Sequence, residues 1–321
     1  MIIKQASNTL CPYLKKNAQN RLFLAISGGV DSVVLLDILN HIKKKYSLYI
    51  SLIHINYSMQ EKSKESEKLC YDLASKYKIN IISKKINIDR KNFESNAREI
   101  RYNLFNQYSE EFDFDYILTA HHRDDQIETL HMKFLDNSDW LSFLGIRERY
   151  AKVLRPMLDI SKKDIYYYAK KNNLKWIEDT SNVDTNYRRN NIRLKMLPEI
   201  YKNNPEHIDF LIKKHLEAIE RTSILKKQIK SFKAKYIIKI NSQYIILSNR
   251  VIELSDKVAF KLFYQDLCRK YFNWPVYSTG KHWSGFHSGA TTRGAARLVM
   301  FRISVSTCPL VPIPSPRATV G

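Results

Sequence analysis

Glycine is scarce in this chain, and its few glycines are unevenly placed. The 321 residues contain 8 glycines, and only Gly28, Gly29 and Gly145 lie before residue 275. Two of these three are adjacent, within LFLAISGGVDSVVLLDIL at residues 22–39. Because glycine permits a positive φ and the close approach of another group to the backbone, this pair predicts a turn with a special role.

Cysteine and long apolar runs are scarce as well. The 4 cysteines are widely separated and none forms C-x-x-C: Cys11, Cys70, Cys268 and Cys308. Neither a zinc knuckle nor a disulfide framework is therefore indicated, and a reduced, cytoplasmic location fits. No run approaches the roughly 18 apolar residues of a membrane span, and residues 1–17 lack the continuous apolar core of a signal peptide. We expect a cytoplasmic protein with no membrane partner.

Acidic residues are outnumbered by basic ones. The chain has 53 Lys and Arg against 32 Asp and Glu, which gives a formal net charge of +21. Such an excess favours a polyanionic partner such as nucleic acid, and the alternative is lysine on solvated helix faces. Hydrophobic residues make up 44% of the chain, which is enough for a sizeable core.

Strand-like apolar runs alternate with helical patterns through residue 120. Strands are predicted at 22–26, 49–56, 79–86 and 114–120, with helices between them. This alternation predicts an α/β fold with a parallel sheet and helices on both faces. Because ligands of such sheets bind at the carboxyl ends of the strands, we expect Gly28, His54 and His121 to lie near one site.

The composition of the rest of the chain predicts two smaller parts after a first domain at residues 1–200. Residues 201–275 are expected to form a small, basic, mostly helical domain, with a long helix at about 205–232 and a hairpin made by AKYIIKI and QYIILS. Residues 276–321 contain no Asp, Glu, Asn or Gln. We expect this atypical tail to be poorly ordered, with one strand within residues 297–306.

The glycine pair predicts a phosphate-binding loop. The chain contains neither G-x-x-x-x-G-K-[ST] nor G-x-G-x-x-G, but free N–H groups at a strand-to-helix turn form an anion site. The residues concerned are Ser27, Gly28, Gly29, Val30, Asp31 and Ser32. Asp31 would repel a phosphate unless a metal ion bridges the two. The alternative is an ordinary tight turn.

A second constellation, TAHHRDDQIETL at 119–130, follows the fourth predicted strand. Asp124 and Glu128 are four residues apart, on one helical face, with His121 and Asp125 beside them. Such a group could hold Mg²⁺ or receive an ammonium group, and a histidine could stabilise charge on a phosphate. A charged helix start is the alternative.

Two further stretches are rich in arginine. Arg98 and Arg101 lie three apart in SNAREIRYNLF, and guanidinium groups suit phosphate oxygens, although arginines on a helix surface are equally common. Downstream, in WIEDTSNVDTNYRRNNIRLKMLPEI, three arginines could grip an RNA backbone and an asparagine could bind a base edge: Arg188, Arg189, Arg193 and Asn190.

Taken together, these motifs resemble the tRNA(Ile)-lysidine synthetase family of the PP-loop ATP pyrophosphatase superfamily. The matching stretches, from SGGVDS through NAREIRY and TAHHRDDQIET to YRRNNIRLKMLP, span about residues 22–198. The resemblance implies an adenine nucleotide α-hydrolase-like catalytic domain at residues 1–200 that uses ATP and Mg²⁺, followed by a tRNA-binding domain at residues 201–275. It implies free L-lysine and an isoleucine tRNA with a CAU anticodon as partners, and it leaves a homodimer open.

The reaction of that family assigns roles to the candidate residues. The C2 oxygen of the wobble cytidine attacks the α-phosphate of ATP, and lysine then displaces AMP from the adenylated base. On this basis Asp31 and Asp124 would hold the metal, and His121 with Arg98 or Arg101 would stabilise the phosphate. Asp125 or Glu128 would hold the lysine.

Two departures and two rival functions accompany this hypothesis. Tyr57 stands where the family usually has a histidine, and KFLDNSDWLSFLGI at 133–146 has one glycine where a glycine-rich turn is usual. Other PP-loop enzymes that thiolate tRNA need paired or nucleophilic cysteines, and Cys70 is alone between residues 12 and 267. The second rival is a non-catalytic tRNA-binding relict, which the intact acidic and histidine motif opposes.

Overall fold

A six-stranded sheet organises the first part of the chain. The structure is a computed structural model that describes residues 1–57, 63–86, 93–178, 187–240, 244–248 and 298–302. The strand order is β3-β2-β1-β4-β6-β5, with β1 (Asn20–Ala25), β2 (Leu48–Asn56), β3 (Asn80–Lys85), β4 (Tyr116–Leu118), β5 (Arg149–Tyr150) and β6 (Val153–Leu154). All neighbouring pairs are parallel except β5 with β6. The predicted parallel α/β fold is confirmed.

Helices cover both faces of this sheet, as predicted. They are α1 (Ile2–Leu10), α2 (Val30–Ile42), α3 (Ser63–Tyr77), α4 (Phe93–Glu111), α5 (Arg123–Leu135) and α6 (Lys162–Lys171). Alternate residues of β1 point to opposite sides, as strand geometry requires. Leu22 and Leu24 join the core that contains α2 and α6, whereas Phe23 packs in a second core with Phe105 of α4.

The apolar helix α2 carries one buried carboxylate that fixes its neighbours. Asp37 accepts hydrogen bonds from Tyr77 Oη of α3 and Tyr168 Oη of α6, both at 2.7 Å. Burial and these bonds to Asp37 raise the pKa of both tyrosines well above the usual range. Because a buried carboxylate needs such partners, Asp37 holds α3 and α6 in fixed positions against α2.

Four further helical segments return the chain to α5. They are α7 (Arg188–Asn191), a π-helical turn at Ile192–Met196, α8 (Leu197–Asn203) and α9 (Glu206–Tyr236). Ile192, Leu197 and Ile208 pack against Ile127 of α5 in a small core of their own. This packing places the arginine-rich segment beside the acidic face of α5.

The chain divides by its internal contacts into Met1–Ala218 and Ile219–Gly321. In the second unit the described residues form the end of α9 and an antiparallel sheet of β7 (Ile237–Ile240), β8 (Tyr244–Ser248) and β9 (Leu298–Arg302). The predicted hairpin is β7 with β8, and β9 lies in the stretch predicted to form a strand. Most of the predicted tail lies outside the described residues, and the functional division into 1–200, 201–275 and 276–321 stays a prediction.

None of the helices described by the structure is both long and apolar enough to cross a membrane.

A pair of histidines joins α9 to α5. Nδ1 of the buried His131 lies 3.1 Å from Nε2 of His207, and the ring of Phe134 lies near both. Burial, His207 and Arg188 lower the pKa of His131, and burial lowers the pKa of His207. A hydrogen bond between two imidazoles needs an acceptor nitrogen, so the contact requires that at least one ring is neutral.

Acid is therefore expected to destabilise this contact. Since both pKa values are lowered in the folded chain, the unfolded chain binds more protons as the pH falls below about 6.5, and stability decreases there. Urea unfolding at neutral pH and near pH 5.5 measures the loss. His131→Gln, which cannot titrate, should lose less stability over the same interval. An equal loss in both proteins would show that the pair contributes nothing to the acid sensitivity.

Candidate active site

The glycine pair forms a strand-to-helix turn at the carboxyl end of β1. Ser27 N donates to Ser32 Oγ at 3.2 Å, and Ser32 Oγ donates to Gly29 O at 2.9 Å, which closes the loop on itself. Gly29 is the N-cap of α2, and no described side chain caps that end. The N–H groups of Val30 and Asp31 are left for a ligand because the first turn of a helix lacks intrahelical acceptors.

The two glycines of the loop differ in their structural need. Gly28 has φ +82°, and a Cβ there would lie 3.2 Å from the backbone oxygen of Ser66. Gly29 has φ −74°, and the nearest atom to its Cβ would be Ser27 Oγ at 3.4 Å. Only Gly28 therefore requires glycine on conformational grounds.

This contrast gives a matched pair of variants. Gly28→Ala is expected to lower the free energy of unfolding by about 1–2 kcal/mol, because alanine pays the left-handed backbone penalty and approaches Ser66. Gly29→Ala should change it by less than about 0.5 kcal/mol. Urea unfolding of both variants measures the difference. Equal losses would show that the strained conformation of Gly28 is not what sets the requirement.

Asp31, the predicted metal ligand in the loop, is paired with a lysine. Lys162 Nζ donates to Asp31 Oδ1 at 2.6 Å and to Oδ2 at 2.8 Å. The backbone N–H of Lys162 donates to Asp124 Oδ2 at 2.8 Å. One residue at the start of α6 thus contacts both carboxylates that the sequence assigns to magnesium.

His122 lies among three carboxylates. Its Nε2 is 3.8 Å from Asp31 Oδ1 and 3.4 Å from Asp125 Oδ2, and its Nδ1 is 3.7 Å from Asp124 Oδ2. Burial alone would lower the pKa of His122, but Asp124, Asp125 and Asp31 together raise it. The same contacts lower the pKa values of Asp124 and Asp125 against the opposing effect of burial. The three carboxylates thus favour the protonated form of His122.

His121 has the opposite character. Its Nδ1 lies 2.9 Å from Thr119 Oγ1. Burial, reinforced by Arg155, Arg189 and Arg98, lowers the pKa of His121 despite the nearby Asp125. A neutral imidazole can donate one hydrogen bond to a phosphate oxygen without carrying charge. The two adjacent histidines therefore offer different chemistry at one strand end.

Asp125 and Glu128 on α5 are bound by arginines of the returning segment. Arg189 donates to Glu128 Oε2 at 2.8 Å and to Asp125 Oδ1 at 3.0 Å. Arg193 donates to Glu128 at 2.5 Å and 2.9 Å and lies 3.2 Å from Asp125 Oδ1. Glu128 is buried, with 2% of its side chain exposed. These arginines, predicted to grip RNA, thus also hold the predicted lysine-binding carboxylates.

The site is balanced in formal charge. Its four carboxylates are those of Asp31, Asp124, Asp125 and Glu128, and they face the cationic groups of Lys162, Arg189 and Arg193 and the ring of His122. Arg98 and Arg155 add positive charge near His121. An anionic ligand at the loop would therefore meet no net repulsion despite the acidic motif.

The other predicted residues are held in different ways. The guanidinium of Arg98 lies 5.0 Å from the ring centroid of Tyr102, and Arg101 Nε donates to Tyr57 Oη at 3.0 Å. Arg188 forms an exposed 2.6 Å pair with Asp136, and Asn190 lies in α7. The buried His54 hydrogen-bonds Ile26 O with Nδ1 at 2.9 Å, just before the loop. RNA binding by Arg188, Arg189, Asn190 and Arg193 stays a prediction.

Lys162 and His122 are the functional candidates that the sequence analysis did not single out. A signal for Lys162 exists, because Ser161 caps α6 by accepting from Asp164 N at 3.0 Å. A positive charge directly after such a cap interacts unfavourably with the helix dipole. A lysine at this position therefore predicts a nearby anion that compensates for the charge. His122 carries no such signal, since only the fold distinguishes it from His121.

The donor set fits a magnesium ion that is shared with a nucleotide. Magnesium is usually held by one or two carboxylates together with substrate phosphates, and Asp31 and Asp124 supply that number beside the loop. In the part of the chain that the structure describes, no three His, Cys, Asp or Glu side chains form a metal-binding group. Phosphate oxygens would have to complete the coordination.

A parallel α/β sheet with an open strand-to-helix turn after its first strand is typical of the nucleotide-binding class of proteins. The family model of the PP-loop domain matches residues 3–200. The chain belongs to the PP-loop domain family, and this domain supports ATP use.

Curated relatives named tRNA(Ile)-lysidine synthase confirm the resemblance seen in the motifs. The protein of Persephonella marina is 33% identical over 214 residues, which are 64% of this chain and 47% of the relative. That of Buchnera aphidicola subsp. Schizaphis graminum is 41% identical over 187 residues, 56% of this chain and 42% of the relative. The chain spans about half the length of the curated relatives it matches.

A solved structure shows the same fold at low identity. The U34-tRNA thiolase NcsA from Methanococcus maripaludis with its [4Fe-4S] cluster superposes with a TM-score of 0.55 and 19% identity. The match covers 68% of this chain and 79% of the thiolase chain.

Proposed function

We propose that this protein ligates free L-lysine to C2 of the wobble cytidine in the CAU anticodon of an isoleucine tRNA. The observation that carries the proposal is the juxtaposition of the open turn at Gly28 and Gly29 with the Asp31, Asp124 and His122 cluster. The names of the relatives supply the substrate class. Magnesium, when bound, would neutralise the charge on the phosphates of ATP.

The first step would be adenylation of the base. The C2 oxygen attacks the α-phosphorus, the bond between the α- and β-phosphates breaks, and pyrophosphate leaves. The N–H groups of Val30 and Asp31 are available to hold the pyrophosphate, and Asp31 with Asp124 would hold the metal. His121 would donate a hydrogen bond as a neutral ring, and Arg98 would add charge stabilisation to the phosphate.

The second step would be displacement of AMP by lysine. The ε-amine forms a bond to C2, the bond from C2 to the adenylated oxygen breaks, and the amine loses a proton. Asp125 or Glu128 would hold the lysine. The carboxylate that does so would remain paired with Arg189 and Arg193. Glu128 is the more buried of the two, with 2% of its side chain exposed against 13% for Asp125, so Asp125 is the more accessible acceptor.

The rival thiolation chemistry finds little support in the described cysteines. Cys70 is buried, and burial followed by the charge of Glu67 raises the pKa of its thiol to about 12. A thiol of that kind is a poor nucleophile near neutral pH. Cys11 is exposed and lies in the short helix after α1, so the described chain offers no cysteine pair.

Mass analysis of nucleosides tests the proposal directly. An isoleucine tRNA with a CAU anticodon is incubated with the protein, magnesium-ATP and isotopically labelled lysine, then digested to nucleosides. We expect labelled lysidine in place of the wobble cytidine. A sulfur-containing nucleoside would favour the thiolase rival, and tRNA binding with no modified nucleoside would favour the relict. A cytoplasmic location and a homodimer stay predictions, tested by fractionation and by light scattering.

A further inference from the structure

Lys162 occupies a position that the proposed reaction has not yet used. Its ammonium contacts both oxygens of Asp31, at 2.6 Å and 2.8 Å. Its backbone N–H contacts Asp124 at 2.8 Å. One residue thus hydrogen-bonds both carboxylates, through its side chain and its backbone.

The formation of α6 does not require this lysine. Ser161 already caps the helix through Asp164 N, and a cation in the first turn is unfavourable to the helix dipole. Asp31 compensates for that cost, because it lies across from the helix start. The placement of Lys162 is thus explained by Asp31 and not by local helix chemistry.

The backbone of Lys162 is held in place, and its side chain is partly exposed. Tyr168 anchors α6 to Asp37 of α2 at 2.7 Å, and the bond to Asp124 holds the Lys162 backbone. The side chain is 30% exposed, and its ammonium lies 5.0 Å from the ring centroid of Tyr166. A lysine has a flexible four-carbon stem, so its charge can shift without movement of the helix.

Asp31 sits in the first turn of α2, directly after the anion-binding loop. A metal ion held by Asp31 would compete with Lys162 for the same oxygens, because an ammonium and a dication repel at such a distance. A phosphate bound at the loop would in turn offer Lys162 new anionic oxygens nearby. The two binding events are therefore coupled through one side chain.

We propose that Lys162 pairs with the metal-binding oxygens of Asp31 in the absence of nucleotide. When magnesium-ATP binds, its ammonium group leaves Asp31 and pairs with the β- and γ-phosphate oxygens. The inference rests on the ATP use of the proposed function. Lys162 suppresses metal binding at Asp31 in the absence of nucleotide. It strengthens nucleotide binding and stabilises the departing pyrophosphate.

Binding measurements on the full chain test this exchange. The variants are Lys162→Met, which keeps the stem and removes the charge, Lys162→Arg, which restores a charge, and Lys163→Met, an exposed neighbour on the same helix. The probes are Mn²⁺ alone, followed by electron paramagnetic resonance, and magnesium-ATP, followed by calorimetry. Thermal unfolding confirms that each variant is folded.

The expected result has opposite signs for the two probes. Lys162→Met should bind Mn²⁺ alone about fivefold more tightly than the wild type and magnesium-ATP about tenfold more weakly. Lys162→Arg should restore most of the ATP affinity, and Lys163→Met should match the wild type in both measurements. Unchanged Mn²⁺ affinity, or unchanged magnesium-ATP affinity, in folded Lys162→Met would overturn the proposal.

The nucleoside assay separates this inference from the proposed function. If Lys162→Met differs from the wild type in binding as expected but the wild type makes no lysidine, the proposed reaction fails while the exchange at Asp31 stands. If the wild type makes lysidine while Lys162→Met binds both probes as the wild type does, the exchange fails and the reaction stands.

Discussion

Replacing Arg193 by alanine is expected to lower the free energy of unfolding by about 2 kcal/mol, although Arg193 lies in the segment predicted to contact RNA. The buried Glu128 accepts from Arg193 at 2.5 Å and 2.9 Å, and loss of one partner of a buried pair typically costs roughly 3–5 kcal/mol. The loss in Arg193→Ala is expected to be smaller than this range because Arg189 remains bound to Glu128. Urea denaturation measures the change.

Arg188→Ala is the matched control for this variant. Arg188 comes from the same segment, but its pair with Asp136 is exposed, with 52% and 36% of the two side chains accessible. Removal of such a pair should cost less than about 0.5 kcal/mol. If Arg193→Ala is as stable as Arg188→Ala, the arginine is not needed to compensate Glu128.

RNA binding by the two variants then becomes interpretable. Each lost phosphate contact should reduce the slope of log affinity against log salt by about one unit. Arg188, whose ion pair with Asp136 is exposed, is the better reporter of a direct RNA contact. In a variant of Arg193, a change in RNA affinity could also come from a rearrangement of the acidic face of α5, because Arg193 binds Glu128.

The fold could be predicted from the sequence because its signals are local. The runs around Leu24, Leu52 and Ile117 are short and apolar, and the segments between them have helical spacing, which together specify parallel strands with crossover helices. The scarcity of glycine made the turn at Gly28 conspicuous. That turn adopts φ +82°, a conformation that glycine adopts far more readily than other residues.

The pairing within the site could not be predicted, because it depends on contacts across long sequence separations. Arg189 and Arg193 are more than 60 residues from Glu128, and Lys162 is 131 residues from Asp31. A run of arginines in a polar segment has the same appearance whether it binds RNA or a buried carboxylate. Only the packing of Ile192 and Leu197 against α5 determines which carboxylates it meets.

The adjacent histidines show the same limit at shorter range. His121 and His122 occupy neighbouring positions after β4, yet their pKa values shift in opposite directions. Arg155 and Arg98 lie near the ring of His121, whereas Asp124 and Asp31 lie near the ring of His122. The sequence predicts that a histidine acts here, and the fold specifies which one is neutral.

Replacing Asp31 by alanine is expected to reduce adenylation of the tRNA by roughly 100- to 1,000-fold while tRNA affinity is retained. Asp31 is a carboxylate in the predicted phosphate-binding loop, where it would repel the phosphates of ATP unless a cation lies between them. The variant removes that link and also leaves Lys162 without its partner. Formation of AMP and pyrophosphate measures the first effect, and filter binding of the tRNA measures the second.

The loss in Asp31→Ala should be specific to chemistry on ATP, because the side chain is 29% exposed and stands in the first turn of α2. Its unfolding free energy should therefore stay within about 1 kcal/mol of the wild type. Asp31→Asn, which keeps the shape and removes the charge, should be as inactive as Asp31→Ala. Near-normal AMP formation by either variant would contradict the metal-binding role of Asp31, and a loss of tRNA affinity would move its role from the nucleotide to the RNA.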